Sequence, residues 1–419
     1  MNARASVWTD GRLRLGVGIE DTFVPQEREG ERAVDEYVLT EHDVRWREDL
    51  DLAAEVGAEF VRWGIPWYAV SPAPGRWDWS WTDQVMEHFG ALGLRPVVDL
   101  VHYGTPMWLT GEFLHPDYPQ HVADFAARAA ERYGHVATDW TPVNEPMIHA
   151  LFCGEYGYWP PYATGASGLV QMSAALARGF VLTQQAIADV QPTASFVHVD
   201  ASLRYVGDVD APEHRDTANR YAQQAFLVED LVTGRVDARH PLTGLLRQHG
   251  IGDDDLGWFA DNAVRPDVMG VNYYPRHSTE VFERGVHHAG GFADPRPTRD
   301  DGAAGLAEML RLYVDRYQAP VMVAETCVTA DHATRVRWMD DSLAVVHDLR
   351  ADGVDVVGYT WWPLFDMVEW TYRHSDAPPM DHRLEMGLFD LVQTSSGLER
   401  RRTAVADAFA VHARTERDR

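Results

Sequence analysis

The sequence predicts an α/β fold, a single (β/α)8 TIM barrel with its active site at the C-terminal ends of the strands. Three observations support this. Apolar runs of strand length alternate with longer stretches of helical period, the pattern that successive parallel βαβ units leave. Arg95-Pro96-Val97-Val98-Asp99-Leu100-Val101-His102 is nearly continuously apolar, as a strand covered on both faces must be. Polar residues collect where the runs end, and a parallel barrel carries its chemistry on that face. The 419 residues contain no linker, repeat or low-complexity tract, so one catalytic domain spanning 1–419 is expected, a length that barrels reach.

Residues 13–19 form the first strand, which ends at Glu20-Asp21. Thr40, with Asp43 three residues on, caps a helix that aligns Trp46, Leu50, Ala53 and Val56. Strand two is 58–65. Ser80 and Asp83 cap a helix carrying Val85, Phe89 and Leu92 on one side, and strand three is 95–102. A helix at about 122–133 precedes the run 135–140, which leads into Thr141-Pro142-Val143-Asn144-Glu145-Pro146. Pro146 cannot extend a ladder, so strand four delivers an amide and a carboxylate at its tip. Neighbouring strand residues point to opposite faces, and only where the pleat breaks can Asn144 and Glu145 share a site. Next come helix 165–190, strand five at 194–199, helix 216–231 and strand six at 268–273. Strand seven at 320–325, helix 331–349, strand eight at 355–361 and helix 400–412 close the series. The segment 280–301 is rich in Gly, Pro, His and charge, and its place after strand six makes it the expected lid loop.

Composition removes several classes of function. Basic residues number 37 against 64 acidic ones, a formal charge of −27, which repels phosphate backbones and anionic lipid, so neither nucleic acid nor membrane is an expected partner. The chain contains no lysine, which excludes lysine Schiff bases, pyridoxal attachment and a phosphate-loop lysine. Cys153 and Cys327 make no CxxC pair and read as reduced, buried thiols near the tips of strands four and seven. Residues 1–10 lack an apolar leader, no run reaches transmembrane length, and a cytoplasmic protein is expected. His287-His288 and Asp331-His332 are incomplete as ligand sets, so neither metal nor cofactor is expected.

The strand ends present a consistent set. Arg62 ends strand two, His102 strand three, Asn144 and Glu145 strand four, Asn272 and Tyr274 strand six, and Glu325 strand seven. Glu369 and Trp370 follow strand eight. Strands four and seven lie nearly opposite in an eight-strand ring, so Glu145 and Glu325 are expected to face each other across the mouth. Two facing carboxyls beside tryptophans suit cleavage of a glycosidic bond. One protonates the departing oxygen and the other attacks the anomeric carbon.

These pieces resemble one family in order and kind. They are Arg62-Trp63-Gly64-Ile65-Pro66-Trp67, His102-Tyr103-Gly104-Thr105-Pro106, Trp140 ahead of Asn144-Glu145-Pro146, and Gly270-Val271-Asn272-Tyr273-Tyr274. Glu325 and the run from Gly358 through Trp361-Trp362-Pro363 to Glu369-Trp370 complete them. The chain resembles glycoside hydrolase family 1, the β-glucosidase group, from about strand one to the C-terminal helix. That resemblance implies a retaining β-glycosidase acting on small-molecule glycosides, with Glu145 as acid/base and Glu325 as nucleophile, roughly 5–5.5 Å apart. Arg62 and Tyr274 would hold Glu325 ionised and lower its pKa, with Asn272 in the same catalytic group. Asn144 would hold the 2-hydroxyl, and His102, Trp362, Glu369 and Trp370 the rest of the glycon.

The departures are also specific. Where the family's first strand offers a glutamine, this chain reads Gly18-Ile19-Glu20-Asp21-Thr22-Phe23, which makes Glu20 the candidate for that glycon contact. After the nucleophile the usual Asn-Gly is Thr326-Cys327. Trp159-Pro160-Pro161 and the 280–301 segment are candidates for the aglycone side. Two alternatives stay open: transfer to a sugar or natural-product hydroxyl on the same scaffold, and a catalytically inactive sugar-binding protein. The second has no need of Glu145, Glu325, Arg62 and Tyr274 together. Oligomeric state is not set by the sequence.

Overall fold

The computed structural model describes residues 7–207, 210–282 and 298–419. Within them a parallel sheet closes on itself through β1 (Arg14–Gly18), β2 (Phe60–Gly64), β3 (Arg95–Asp99), β4 (Asp139–Thr141), β5 (Ser195–Ala201), β6 (Val268–Asn272), β7 (Val321–Thr326) and β8 (Val356–Trp361). Each strand pairs with its neighbours in sequence, and β8 closes on β1 with Leu15 opposite Tyr359 and Val17 opposite Trp361. The long helices, among them His42–Glu55, Gly165–Val190, Gly302–Tyr317 and His332–Ala351, lie between consecutive strands in the chain. No helix among the described residues is long and apolar enough to cross a membrane.

Strand alternation sorts side chains into two cores. Phe60, Val97, Val197, Val268, Met322 and Val357 form a small cluster inside the ring, while Val61, Trp63, Val98 and Val323 belong to the larger one shared with the helices. Trp8, on the short turn Val7–Thr9, joins the inner cluster, edge-on to Phe60 with ring centroids 5.4 Å apart. The same parity turns Arg62, Asp99 and Asn272 inward, because each lies an even number of residues beyond an inward apolar one. At the C-terminal end, then, the interior changes from hydrocarbon to polar groups.

Several expected boundaries shift for identifiable reasons. Thr40 does not start the helix: it ends a separate turn, Glu36–Leu39, its hydroxyl donating to the Glu36 carbonyl, and the long helix begins at His42. Ser80 is the first residue of its helix, where the Asp78 carboxylate accepts from its amide and hydroxyl, while Asp83 is taken by Arg132 and Tyr133. The expected 216–231 helix is two, Pro212–Gln224 and Leu227–Val232. Residues 400–402 belong to a hairpin of Phe389–Thr394 with Gly397–Arg402, and the last helix is Ala404–Arg417. Of the expected lid, 280–282 end a strand, Thr279–Phe282, paired with Arg204–Gly207, and 283–297 lie outside the described residues.

Candidate active site

Two local distortions build the site. After β4 the chain keeps strand-like contacts, Asn144 donating its amide to the Val101 carbonyl at 2.9 Å and Glu145 to that of Val199 at 3.0 Å. Glu145 then adopts φ 44° and ψ 57°, and Pro146 opens the short helix Pro146–His149. This left-handed residue breaks the pleat and lets the Asn144 and Glu145 side chains enter one site. On β7 the pairing with β6 slips between Val323 and Glu325, so that Glu325 stands opposite Asn272. Ala324 belongs to the inner cluster, so regular alternation would turn Glu325 outward. The irregularity re-aims it inward, and Thr326 instead reaches out, its hydroxyl donating to the Tyr273 carbonyl and accepting from the Trp338 indole.

A continuous chain of hydrogen bonds then joins the two carboxyls. Arg62 donates Nη1 to Glu325 Oε1 at 2.8 Å, and Nη2 to Asp99 Oδ2 at 2.7 Å and Asn144 Oδ1 at 2.9 Å. Asn272 Nδ2 lies 3.4 Å from the same Asn144 oxygen and donates to Glu145 Oε1 at 2.9 Å. Tyr274 donates to Glu325 Oε2 at 2.6 Å, and Tyr103 donates to Glu145 Oε2. Glu145 and Glu325 are 8% and 4% exposed, so both oxygens of each carboxyl are held inside the protein.

Burial dominates the electrostatics. It raises Glu145, against the opposing hydrogen bonds of Tyr103 and Asn272. It raises Glu325 from 4.5 to about 8, opposed by Arg62 and reinforced by Glu145. The expected lowering of Glu325 is therefore reversed: the guanidinium acts in the anticipated direction, but desolvation outweighs it. Two such carboxyls release protons as a pair. Arg62 touches Glu325 and not Glu145, so the pair's first negative charge is favoured on Glu325.

A second group adjoins the first. His102 Nδ1 lies 2.6 Å from Asp21, and Asn144 Nδ2 lies 3.0 Å from His102 Nε2. Burial pulls His102 down, yet Asp21, Asp99 and Glu20 raise it on balance. The hydrogen bonds oppose a second proton. Arg62 fixes the Asn144 oxygen, so its amide must donate to Nε2, which needs a lone pair there. We assign His102 the neutral form with its proton on Nδ1, because protonated Nε2 would meet the amide donor head-on. Glu20 accepts from Trp362 Nε1 at 2.8 Å and from the Thr22 amide at 3.1 Å. The Arg62 guanidinium stands 4.8 Å from the Trp362 ring centroid. Gly18 makes room for that ring: a Cβ there would sit 1.8 Å from its Cε3.

Glu369 stays outside both networks and accepts from the Thr371 hydroxyl. Trp370 joins through ring contacts, 5.4 Å from Tyr103 and 5.1 Å from Trp159. Its buried Nε1 has no acceptor among the described residues. Cys153 and Cys327 are buried free thiols. Asp21, Asp99 and His102 bring one potential ligand atom each within 4.8 Å of one another, as do His115, Asp117 and His121, which straddle the start of the helix Tyr118–Tyr133. The first trio is engaged with Arg62 and Asn144. Of the residues considered earlier, Asp331 caps a helix, His332 pairs with Asp390, and His287-His288 lie outside the described residues.

Tyr103, Asp21 and Asp99 were absent from the candidate set. Asp99 carried a signal, since an acid inside an apolar strand must find a buried cation. Tyr103 directly follows His102, but nothing in the letters reports where its hydroxyl points.

Comparison with known proteins agrees with this architecture. The model of the family described as Glycosyl hydrolase family 1 matches residues 5–377. An aryl-phospho-β-D-glucosidase of Bacillus subtilis is 23% identical over 367 residues, covering 77% of this chain and 76% of the relative. A bifunctional β-D-glucosidase/β-D-fucosidase of Bifidobacterium breve is 26% identical over 384 residues, 79% of this chain and 80% of its own. The β-glucosidase from Thermotoga maritima in complex with deoxynojirimycin superposes with a TM-score of 0.79 at 16% identity, covering 97% and 98% of the two chains.

Proposed function

The chain belongs to glycosyl hydrolase family 1 and is an O-glycosyl hydrolase, and from that premise we propose that it hydrolyses small β-glycosides with retention. Glu325 attacks the anomeric carbon while Glu145 protonates the leaving oxygen. Glu145 then takes a proton from water as water displaces Glu325. The observation that carries this reading is the hydrogen-bonded chain from Glu325 through Arg62, Asn144 and Asn272 to Glu145. It ties two buried carboxyls from different strands into one cage. Esterification of Glu325 removes a like charge that raises its pair, so Glu145 becomes a stronger acid as its proton is needed, and a carboxylate base afterwards. Asn144 is assigned the 2-hydroxyl, and Glu20, His102, Trp362, Glu369 and Trp370 the remaining glycon contacts. The free indole N–H of Trp370 is a donor suited to a hydroxyl oxygen.

Relatives include enzymes named for phosphorylated and for plain glucosides. Acidic groups, Glu20, Asp21 and Asp99, surround His102, and Arg62 is already committed to two carboxylates. A glycon phosphate would meet repulsion there, so the proposed substrates carry an unphosphorylated sugar. The whole chain, 1–419, is proposed to act as one catalytic domain. Two free thiols suit a reducing compartment, and the proposed location is the cytoplasm. Aryl β-glycosides with and without a sugar phosphate test the reading. Aglycone release from the plain series, lost in Glu325→Gln, is the expected result. Release from neither series, or sugar transfer only to an added acceptor, overturns it.

A further inference from the structure

We infer that Tyr103 is a positioning residue for Glu145, its hydroxyl bound to the oxygen that carries the catalytic proton and favouring the carboxylate left when that proton departs. Its catalytic meaning rests on the acid/base reading of Glu145.

The two oxygens of Glu145 are held differently. Oε1 faces the Asn272 amide, which can only donate and whose orientation is supported by Asn144. A carboxylic acid must therefore carry its proton on Oε2, and the group facing Oε2 is the Tyr103 hydroxyl. A phenol can donate or accept by turning its O–H, so it can serve both protonation states while the amide serves the other oxygen. When the leaving oxygen takes the proton from Oε2, its bond to the anomeric carbon breaks and the bond electrons stay with that oxygen. Glu145 becomes a carboxylate, and the Tyr103 O–H donates to it. When water attacks, the C–O bond to Glu325 breaks, Oε2 takes the water proton, and Tyr103 turns to accept.

Backbone geometry supports a built contact. Tyr103 has φ 72° and Glu145 φ 44°, both in the left-handed region, which is rare for residues with large side chains and persists only where the surroundings enforce it. The Tyr103 ring is 2% exposed. It is gripped by His102, His149, Trp159 and Trp370, with ring centroids 4.7–5.4 Å away. The other ionisable groups near Glu145 come from several strand ends: Arg62, Asp200, Tyr274, Tyr313, Glu325 and His102, whose ring is neutral in the assignment above. Arg62 is committed to Glu325 and Asp99, and His149, against the Tyr103 ring, is kept neutral by burial. Tyr103 and Asn272 are thus the side chains that solvate the charged form directly.

Isotope-labelled glutamate carboxyls followed by NMR test this without turnover, with the Glu145 signal identified by its loss in Glu145→Gln. Tyr103→Phe is expected to raise the Glu145 midpoint by about 1–2 pH units, the effect of one hydrogen bond to a charge. An unmoved or lowered midpoint overturns the inference. Should that variant fail to fold, difluorotyrosine at position 103 keeps the shape and strengthens the donor. It is expected to lower the midpoint, and no change again refutes the role. In turnover, the alkaline limb of kcat/KM should move up with Tyr103→Phe, whereas a uniform fall at every pH would mark mere packing. If the wild type cleaves no glycoside, the functional reading fails while the titration still decides the role of Tyr103.

Discussion

Replacing Glu325 with glutamine measures how much of this site is held against the stability of the fold. Its carboxyl rises from 4.5 to about 8 on folding, chiefly through burial. Between those values the native state holds a proton that the unfolded chain has lost, so stability falls as pH climbs through the window. For an isolated group with that shift, the loss is about 1 kcal/mol at about pH 5 and about 4 kcal/mol at about pH 8. Glutamine has no charge to desolvate and can still accept from Arg62 at Oε1. Any difference between the amide and the protonated carboxyl as a partner for Arg62 is a constant offset here, because Arg62 and Asp99 remain ionised. The pH dependence is therefore diagnostic and the offset is not. Urea unfolding of both proteins at about pH 5, 6.5 and 8 should show the variant gaining about 3 kcal/mol on the wild type across the range. A difference that stays flat, or shrinks as pH rises, would refute the claim that burial dominates Glu325.

Glu145→Ala should lower activity on glycosides with poor leaving groups by about 10²–10⁴-fold while sparing the first step for dinitrophenyl glycosides. Equal losses across a leaving-group series would contradict the acid role. Gly18→Ala forces a methyl into the Trp362 ring. It should cost about 1–3 kcal/mol in urea unfolding and raise KM more than it lowers kcat, and native stability with unchanged KM would contradict the glycon contact proposed for Trp362.

Much of the site was legible because strand parity is a rigid rule. Phe60 and Arg62 are two steps apart and Val268 and Asn272 four, so each pair shares the interior, which any reader of the letters can count. The eight strands follow from the same periodicity, and the expectation that Glu145 faces Glu325 follows from the nearly opposite places of strands four and seven in the ring. The resemblance to a known family supplied the proposed glycon positions, Trp362 among them. What stayed hidden was breakage of the rule. Strict alternation would expel Glu325, and only an irregularity on β7 brings it in. Glu145 needs a left-handed backbone that its neighbours impose from other strands. The net rise of Glu325 was missed for a related reason: Arg62 is visible in the sequence, but the depth at which both groups lie is not. Thr40 failed as a cap because Glu36, four residues back, offered its hydroxyl a nearer acceptor.

The two ends of the barrel interior therefore answer to different demands. Around Trp8 and Phe60 the interior is apolar and close-packed, and truncation there should be felt as lost stability with the chemistry intact. Around Arg62 the interior holds Asp99, Glu145 and Glu325 with less cation than anion, and two residues in left-handed backbone meet in one hydrogen bond. Neither the excess carboxyl nor the backbone strain is needed to close a barrel. Both raise the free energy of the fold, and both lie beside Glu145 Oε2, the oxygen proposed to give up a proton and take it back. Relief of the strain or the charge at this end should stabilise the protein and slow it, the reverse of what the same kind of substitution does at the other end.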